Sequence, residues 1–96
     1  MKLYDFKLAP NPRRVRMFLA EKGITDVPME EINTRDGSQF ADAFLAINPR
    51  GTVPVLALDD GAVLTESVSI CRYFEETNPE TPLFGSTATE KALVDN

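Results

Sequence analysis

Apolar and polar residues fall in short blocks along this chain, and the repeat of the blocks changes from segment to segment. Residues 2–6 carry Leu3, Tyr4 and Phe6 and read as a short strand. Val15, Phe18 and Leu19 then share one face of a helix that runs to about Lys22. Ala9-Pro10-Asn11-Pro12 precedes it as a stiff loop, because each proline disfavours helical geometry in the residue before it. Asn11 suits the N-cap and Pro12 the first helical position. Gly23 ends the helix, and Ile24 follows as the hydrophobic partner of a glycine stop.

Residues 27–32 predict a second strand, and residues 34–38 a polar loop. Phe40, Ala43, Phe44 and Ile47 lie at i, i+3, i+4 and i+7, the stripe of a short amphipathic helix. Asn48-Pro49 stops it. Residues 55–58 and 62–64 bracket Asp59-Asp60-Gly61, a hairpin signal. From Glu66 the pattern is helical again, with Ser67, Ile70, Cys71 and Phe74 on one face and Asn78-Pro79 at the end. The order is β-α-β-α-β-β-α. A helix joins the first two strands, which are therefore expected to be parallel, and the last two form an antiparallel hairpin.

The character changes after Pro79. Pro79-Glu80-Thr81-Pro82 reads as linker, and Thr87-Ala88-Thr89-Glu90 fits a capping box for a further helix. That helix has barely two turns before Asn96, and isolated helices that short are marginal. We expect one domain over residues 1–79, a linker over 80–85, and the incomplete beginning of a C-terminal domain over 86–96. The alternative is a frayed tail on a complete small domain.

Composition narrows the chemistry. Ten Lys and Arg against fifteen Asp and Glu leave a net charge of −5, and there is no histidine. An acidic chain has little electrostatic reason to bind nucleic acid or anionic lipid. Without histidine, the commonest general base and metal ligand is missing, so no metal is expected. Cys71 is the single cysteine, which excludes an internal disulfide, a CxxC pair and a thiolate zinc site. The longest apolar run covers residues 53–58, far short of a membrane span. A soluble, cytoplasmic protein is expected.

Three places carry candidate chemistry. Val53-Pro54 either opens a strand with an ordinary trans bond or makes a cis turn. A cis turn would aim the Val53 N–H and C=O at solvent, where an extended peptide can pair with them. Glu66 and Ser67 begin the third helix. Either Thr65 or Ser67 caps it while Glu66 complements the dipole, or free N–H groups and the Ser67 hydroxyl make an anion site, with Glu66 holding an ammonium. Asn11 either caps the first helix or also donates its NH₂ to a ligand. A charge-assisted hydrogen bond is worth roughly 1.5–3 kcal/mol, and a helix terminus roughly 0.3–2. Lowering a thiol pKa by two units takes about 2.7 kcal/mol. If Asn11 donates to a ligand thiol rather than serving only as a cap, it and the helix end together supply enough to form a thiolate near neutral pH.

Arg13, Arg14 and Arg16 put positive charge at a helix N-terminus, where it is unfavourable. They serve an anionic ligand, an acid of a second domain, or solvated surface pairs. Cys71 lies on an apolar helix face and reads as a small buried hydrophobe.

The element order, Asn48-Pro49-Arg50-Gly51-Thr52-Val53-Pro54, Glu66-Ser67 and Arg13-Arg14-Val15-Arg16 together resemble the N-terminal, thioredoxin-like domain of bacterial glutathione S-transferases. The likeness covers residues 1 to about 80. Residues 86–96 resemble the start of that family's all-helical second domain. The resemblance implies an α/β fold with a four-stranded mixed sheet and a cis Pro54. It implies that Val53 pairs with the cysteinyl part of glutathione and that Glu66 and Ser67 hold the γ-glutamyl end. Thr52 occupies a glutathione-contacting position, and Gln39 lies in the loop region that meets the glycyl carboxylate.

The chain departs from the family at the catalytic position. Theta- and zeta-like members carry a serine where this chain has Ala9. Beta-like members carry a cysteine near Asn11, and Tyr4 lies too early to match the catalytic tyrosine of other classes. The nu-like subgroup has an asparagine at about the place of Asn11, so the resemblance makes Asn11 the thiolate stabiliser.

The implied function is glutathione conjugation: a transferase that uses glutathione as co-substrate, takes a small electrophile, and forms a homodimer when full length. Two rivals are a non-catalytic interaction module of the same fold, which Ala9 favours, and a glutathione-dependent disulfide reductase.

Overall fold

A computed structural model describes residues 1–96. Strand β1 (Lys2–Asp5) lies inside a four-stranded sheet of order β2-β1-β3-β4. It runs parallel to β2 (Met29–Glu31), pairing Leu3 with Met29 and Asp5 with Glu31. It runs antiparallel to β3 (Val55–Ala57), pairing Leu3 with Leu56 and Tyr4 with Val55. β4 (Val63–Leu64) closes the sheet antiparallel to β3. The four-stranded mixed sheet, with its parallel first pair and antiparallel last hairpin, is the one expected.

Strand side chains alternate between faces, and this divides the core in two. Leu3 and Leu56 point to one face, where Val15 and Leu19 of helix α1 (Pro10–Lys22) meet Ile70, Cys71 and Phe74 of helix α3 (Ser67–Thr77). Tyr4 and Val55 point to the other face and meet Ile32 and Phe44. Burying each large apolar side chain contributes about 1.5–3 kcal/mol. Helix α2 (Asp42–Leu45) supplies Phe44, whose ring lies edge-on to Tyr4 with centroids 5.6 Å apart.

The expected start of α1 is corrected. Asn11 is not its N-cap. The helix begins at Pro10, and Ala9 is the cap, extended at φ −88° and ψ 141° with no side-chain hydrogen bond. Proline is pre-set for the first helical position, and Pro12 also fits within the first turn, where no backbone donor is needed. Asn11 is thereby enclosed in that turn. The stop is as read: Gly23 turns left-handed (φ 72°), its N–H donates to Ala20 O, and the Ile24 N–H donates to Leu19 O.

The amphipathic stripe from Phe40 to Ile47 is also corrected. Phe40 ends a separate 3-10 turn, Ser38–Phe40, and is 62% exposed. Ala41 is extended between that turn and α2. Local side-chain bonds compete with helix here. Asn33 Oδ1 accepts from the Arg35 N–H, and Asp36 Oδ1 accepts from the Ser38 N–H and hydroxyl. The second and third strands are shorter than expected, covering residues 29–31 and 55–57.

Beyond α3 the chain is pinned to the domain. The Lys22 ammonium, fully buried, donates to Glu75 at 2.7 Å and to Thr81 O at 2.8 Å. The Glu75 carboxylate accepts the N–H groups of Leu83 and Phe84. Helix α4 (Ala88–Asp95) follows with the expected capping box between Thr87 and Glu90, and none of its residues is buried. No helix is long and apolar enough to cross a membrane.

Candidate functional site

The site forms where the N-terminus of α1, the turn before β3 and the N-terminus of α3 converge. Asn48, 1% exposed, organises the turn. Its Nδ2 donates to Thr52 O at 2.9 Å and to Thr52 Oγ1 at 3.0 Å, and its Oδ1 accepts the Arg50 N–H at 3.2 Å. Gly51 adopts φ 63°, and a Cβ there would stand 3.1 Å from Gln39 O and the Phe40 ring. The Val53-Pro54 bond is cis. Neither the Val53 N–H nor its C=O has a partner within the chain.

Helix α3 opens with Glu66 as its N-cap, again without a side-chain bond. Its first intrahelical bond is from the Ile70 N–H to Glu66 O. The N–H groups of Ser67, Val68 and Ser69 are left without partners. Such a helix end attracts anions through its free donors and its dipole. The capping alternative for Thr65 or Ser67 is thus not what the side chains do.

Asn11, Thr52, Val53, Pro54, Glu66 and Ser67 line one pocket of about 160 Å³. Six of the seven expected site residues are brought together in this way. Gln39 is not among them. Its Nε2 donates to Thr34 O at 3.1 Å and its Oε1 is buried without a partner, so its side chain faces its own loop.

Three further residues contribute, of which sequence reasoning flagged Arg14 and did not assign Arg50 or Thr65 to the site. Arg50 and Thr65 also line the pocket. The Arg50 guanidinium lies 3.5 Å from the Glu66 carboxylate, with both side chains at least 70% exposed. Exposed pairs of this kind are worth at most about 1 kcal/mol, so a ligand ammonium can replace Arg50 at little cost. Arg14 is the third: its Nη1 donates to Ser67 Oγ at 3.1 Å and reaches Asn11 Oδ1 at 3.4 Å. With Oδ1 facing Arg14, the Asn11 amide keeps Nδ2 for the pocket. Its signal was the unfavourable charge at a helix N-terminus.

The other arginines separate by role. Arg16 pairs with buried Asp5 and donates to Lys7 O, fastening α1 to β1. Arg13 has no carboxylate partner. Pro10 and Pro12 have no N–H, so Asn11 offers the single unpartnered backbone donor in the first three positions of α1. Cys71 is buried, and that burial pushes its thiol pKa up against a smaller opposing effect of Arg14. It is a core residue rather than a nucleophile. No group of three or more His, Cys, Asp or Glu is gathered where it could hold a metal ion.

Residues 9–77 match the family described as "Glutathione S-transferase, N-terminal domain". Glutathione S-transferase 2 of Saccharomyces cerevisiae is 40% identical over 95 residues, which is 98% of this chain and 41% of that protein. A crystal structure of a glutathione S-transferase domain-containing protein from Marinobacter aquaeolei superposes with a TM-score of 0.90 at 40% identity, covering 99% of this chain and 47% of that one. A glutathione transferase homologue from Sulfitobacter, solved with bound glutathione, gives 0.81 at 26% identity, covering 92% and 41%. The chain thus spans less than half the length of these relatives. With fold and sequence in agreement, it belongs to the glutathione S-transferase family, of which it carries the N-terminal domain.

Proposed function

We propose that this chain binds glutathione in the 160 Å³ pocket and holds its sulfur as a thiolate for attack on an electrophile. The observation that carries this reading is the convergence of Asn11, Val53 and Glu66-Ser67 on one cavity from three separate segments. The γ-glutamyl carboxylate takes the free N–H groups of α3 and the Ser67 hydroxyl. Its ammonium takes Glu66. The cysteinyl backbone pairs with the Val53 N–H and C=O beside Pro54, and Thr52 borders it. Gln39 meets the glycyl carboxylate only if its amide turns away from Thr34.

Asn11 then donates Nδ2 and its backbone N–H to the sulfur. The thiol proton passes to solvent, and the thiolate forms a carbon–sulfur bond to the electrophile. A leaving group departs with its electron pair, or the neighbouring carbon of an activated double bond takes up a proton. No residue of the protein becomes covalently bound. Residues 80–85 are a linker and residues 86–96 the start of a helical domain, a division supported by the absence of any buried residue in α4. The longer protein works as a homodimer.

Calorimetric titration with glutathione and with its α-glutamyl isomer tests this reading. Binding of glutathione with at least tenfold preference over the isomer is expected from charge-assisted hydrogen bonds worth about 1.5–3 kcal/mol. Equal affinities, or none, would overturn it. A second reading, binding without catalysis, is favoured by Ala9, which brings no hydroxyl to the head of α1.

A further inference from the structure

Of the ten lysines and arginines, Lys2, Arg16, Lys22, Arg50 and Arg72 stand in ion pairs with carboxylates. Lys7, Arg13, Arg14, Arg35 and Lys91 do not. Three of these five, Lys7, Arg13 and Arg14, line a single open depression of about 640 Å³ at the loop between β1 and α1. Leu8, Pro10 and Met17 give it an apolar surface, with Leu8 64% and Met17 58% exposed.

No carboxylate lines this depression. Asp5 is taken by Arg16, and Glu31 accepts the Lys7 backbone N–H at 3.4 Å without contributing to the wall. The depression adjoins the glutathione pocket. Pro10 lines one and Asn11 the other, and Arg14 reaches from the depression to Asn11 Oδ1 and Ser67 Oγ.

A chain of net charge −5 repels anions at long range. Unpaired cations gathered on one apolar depression beside the sulfur position invert that preference locally. We propose that the second substrate is an amphiphilic carboxylate, its apolar body on Leu8, Pro10 and Met17 and its carboxylate held by Lys7 and Arg13. This inference rests on the glutathione reading and specifies the co-substrate class of that site. The cations are solvent-facing, so the preference weakens as salt screens it.

The test compares two conjugates by calorimetry, S-(dinitrophenyl)glutathione and its analogue in which a carboxylate replaces the para nitro group. The carboxylate conjugate should bind about tenfold tighter, the low end of charge-assisted hydrogen bonding. Replacing Lys7→Gln and Arg13→Gln together should abolish that preference and leave the dinitrophenyl conjugate and glutathione within about twofold of wild type, since neither residue faces the peptide pocket. Lys7→Glu with Arg13→Glu should reverse the preference. Glutathione binding without a carboxylate preference, or a preference that survives the glutamine pair, overturns this inference and leaves the glutathione reading standing. Failure of glutathione itself to bind overturns both.

Discussion

Arg14 Nη1 donates to Ser67 Oγ across 3.1 Å, tying the first turn of α1 to the first residue of α3. The two residues are 53 positions apart in sequence, and Ser67 is 7% exposed. The bond sets the hydroxyl at the mouth of the three free N–H groups of α3. It also leaves the hydroxyl proton free to donate to an anion.

Ser67→Ala therefore separates binding from stability. The Arg14 side chain remains accessible to water, so the cost to folding should be about 1 kcal/mol, the net value of one hydrogen bond. Glutathione affinity should fall by about tenfold, because the lost partner is charged. Urea denaturation and calorimetry on the same variant give both values. Equal losses in the two would contradict a ligand role for the hydroxyl.

Asn11→Ala should raise the thiol pKa of bound glutathione toward the ordinary value of about 8.5. The backbone N–H at that position survives the change, so the rise should be partial. The ultraviolet absorbance of the thiolate, followed against pH, reads this directly. An unchanged midpoint would remove Asn11 from the chemistry.

Ala9→Ser tests the same point from the opposite side. Position 9 is the N-cap of α1, and only the Asn11 N–H is free to bond to a cap there. A serine oxygen can accept that N–H, adding about 1 kcal/mol of stability. With glutathione bound, the Asn11 N–H turns to the sulfur and the serine hydroxyl adds a further donor there. We expect a higher denaturation midpoint and a lower thiol pKa. A stability gain without a pKa change would show that the head of α1 does not reach the sulfur.

Asn48→Ala should destabilise the fold by about 2–4 kcal/mol, since it strands the Thr52 carbonyl and the Arg50 N–H together. Hydrogen exchange should localise the added opening to residues 48–54. Glutathione affinity should drop with it, because the Val53 donor and acceptor lose their fixed direction.

The Glu75 hub gives a pH dependence. Burial by itself would raise the Glu75 pKa, but the Lys22 ammonium and the N–H groups of Phe84 and Leu83 outweigh it and hold the value below the ordinary 4.5. A depressed carboxylate contributes stability that is present above its unfolded pKa and lost as pH falls through its folded pKa. Protection of the Leu83 and Phe84 amides should thus be constant near neutrality and fall in acid below pH 4.5. Glu75→Gln should lower protection at neutral pH and flatten the acid limb. An acid limb unchanged in the variant would assign the loss to other carboxylates.

Much of the fold was legible because its signals are local. Gly23-Ile24 needed only the residues beside it to specify a helix stop, and Thr87 to Glu90 carry a complete capping box. Ser67, Ile70, Cys71 and Phe74 share a face through helix geometry alone, and all four are buried. Phe40 misled because its spacing matched a helical stripe, while Asn33, Asp36 and Gly37 spent the same backbone on turns. Asn11 misled because the prolines on either side of it, Pro10 and Pro12, offer two possible helix starts, and propensity does not choose between them.

The sequence by itself determined the order of elements, their polarity and the residue types at each helix end, since these follow from periodicity and from groups a few residues apart. The tertiary structure alone decided which ends meet. Packing α1 on α3 through Val15, Leu19, Ile70 and Cys71 brings Arg14 to Ser67 and Asn11 to the cavity of Val53 and Glu66. Gln39 lies outside that cavity, its amide held by Thr34 O in its own loop. The physical reason is that a hydrogen bond between residues far apart in sequence depends on the relative placement of two buried faces, which no local pattern of residues encodes.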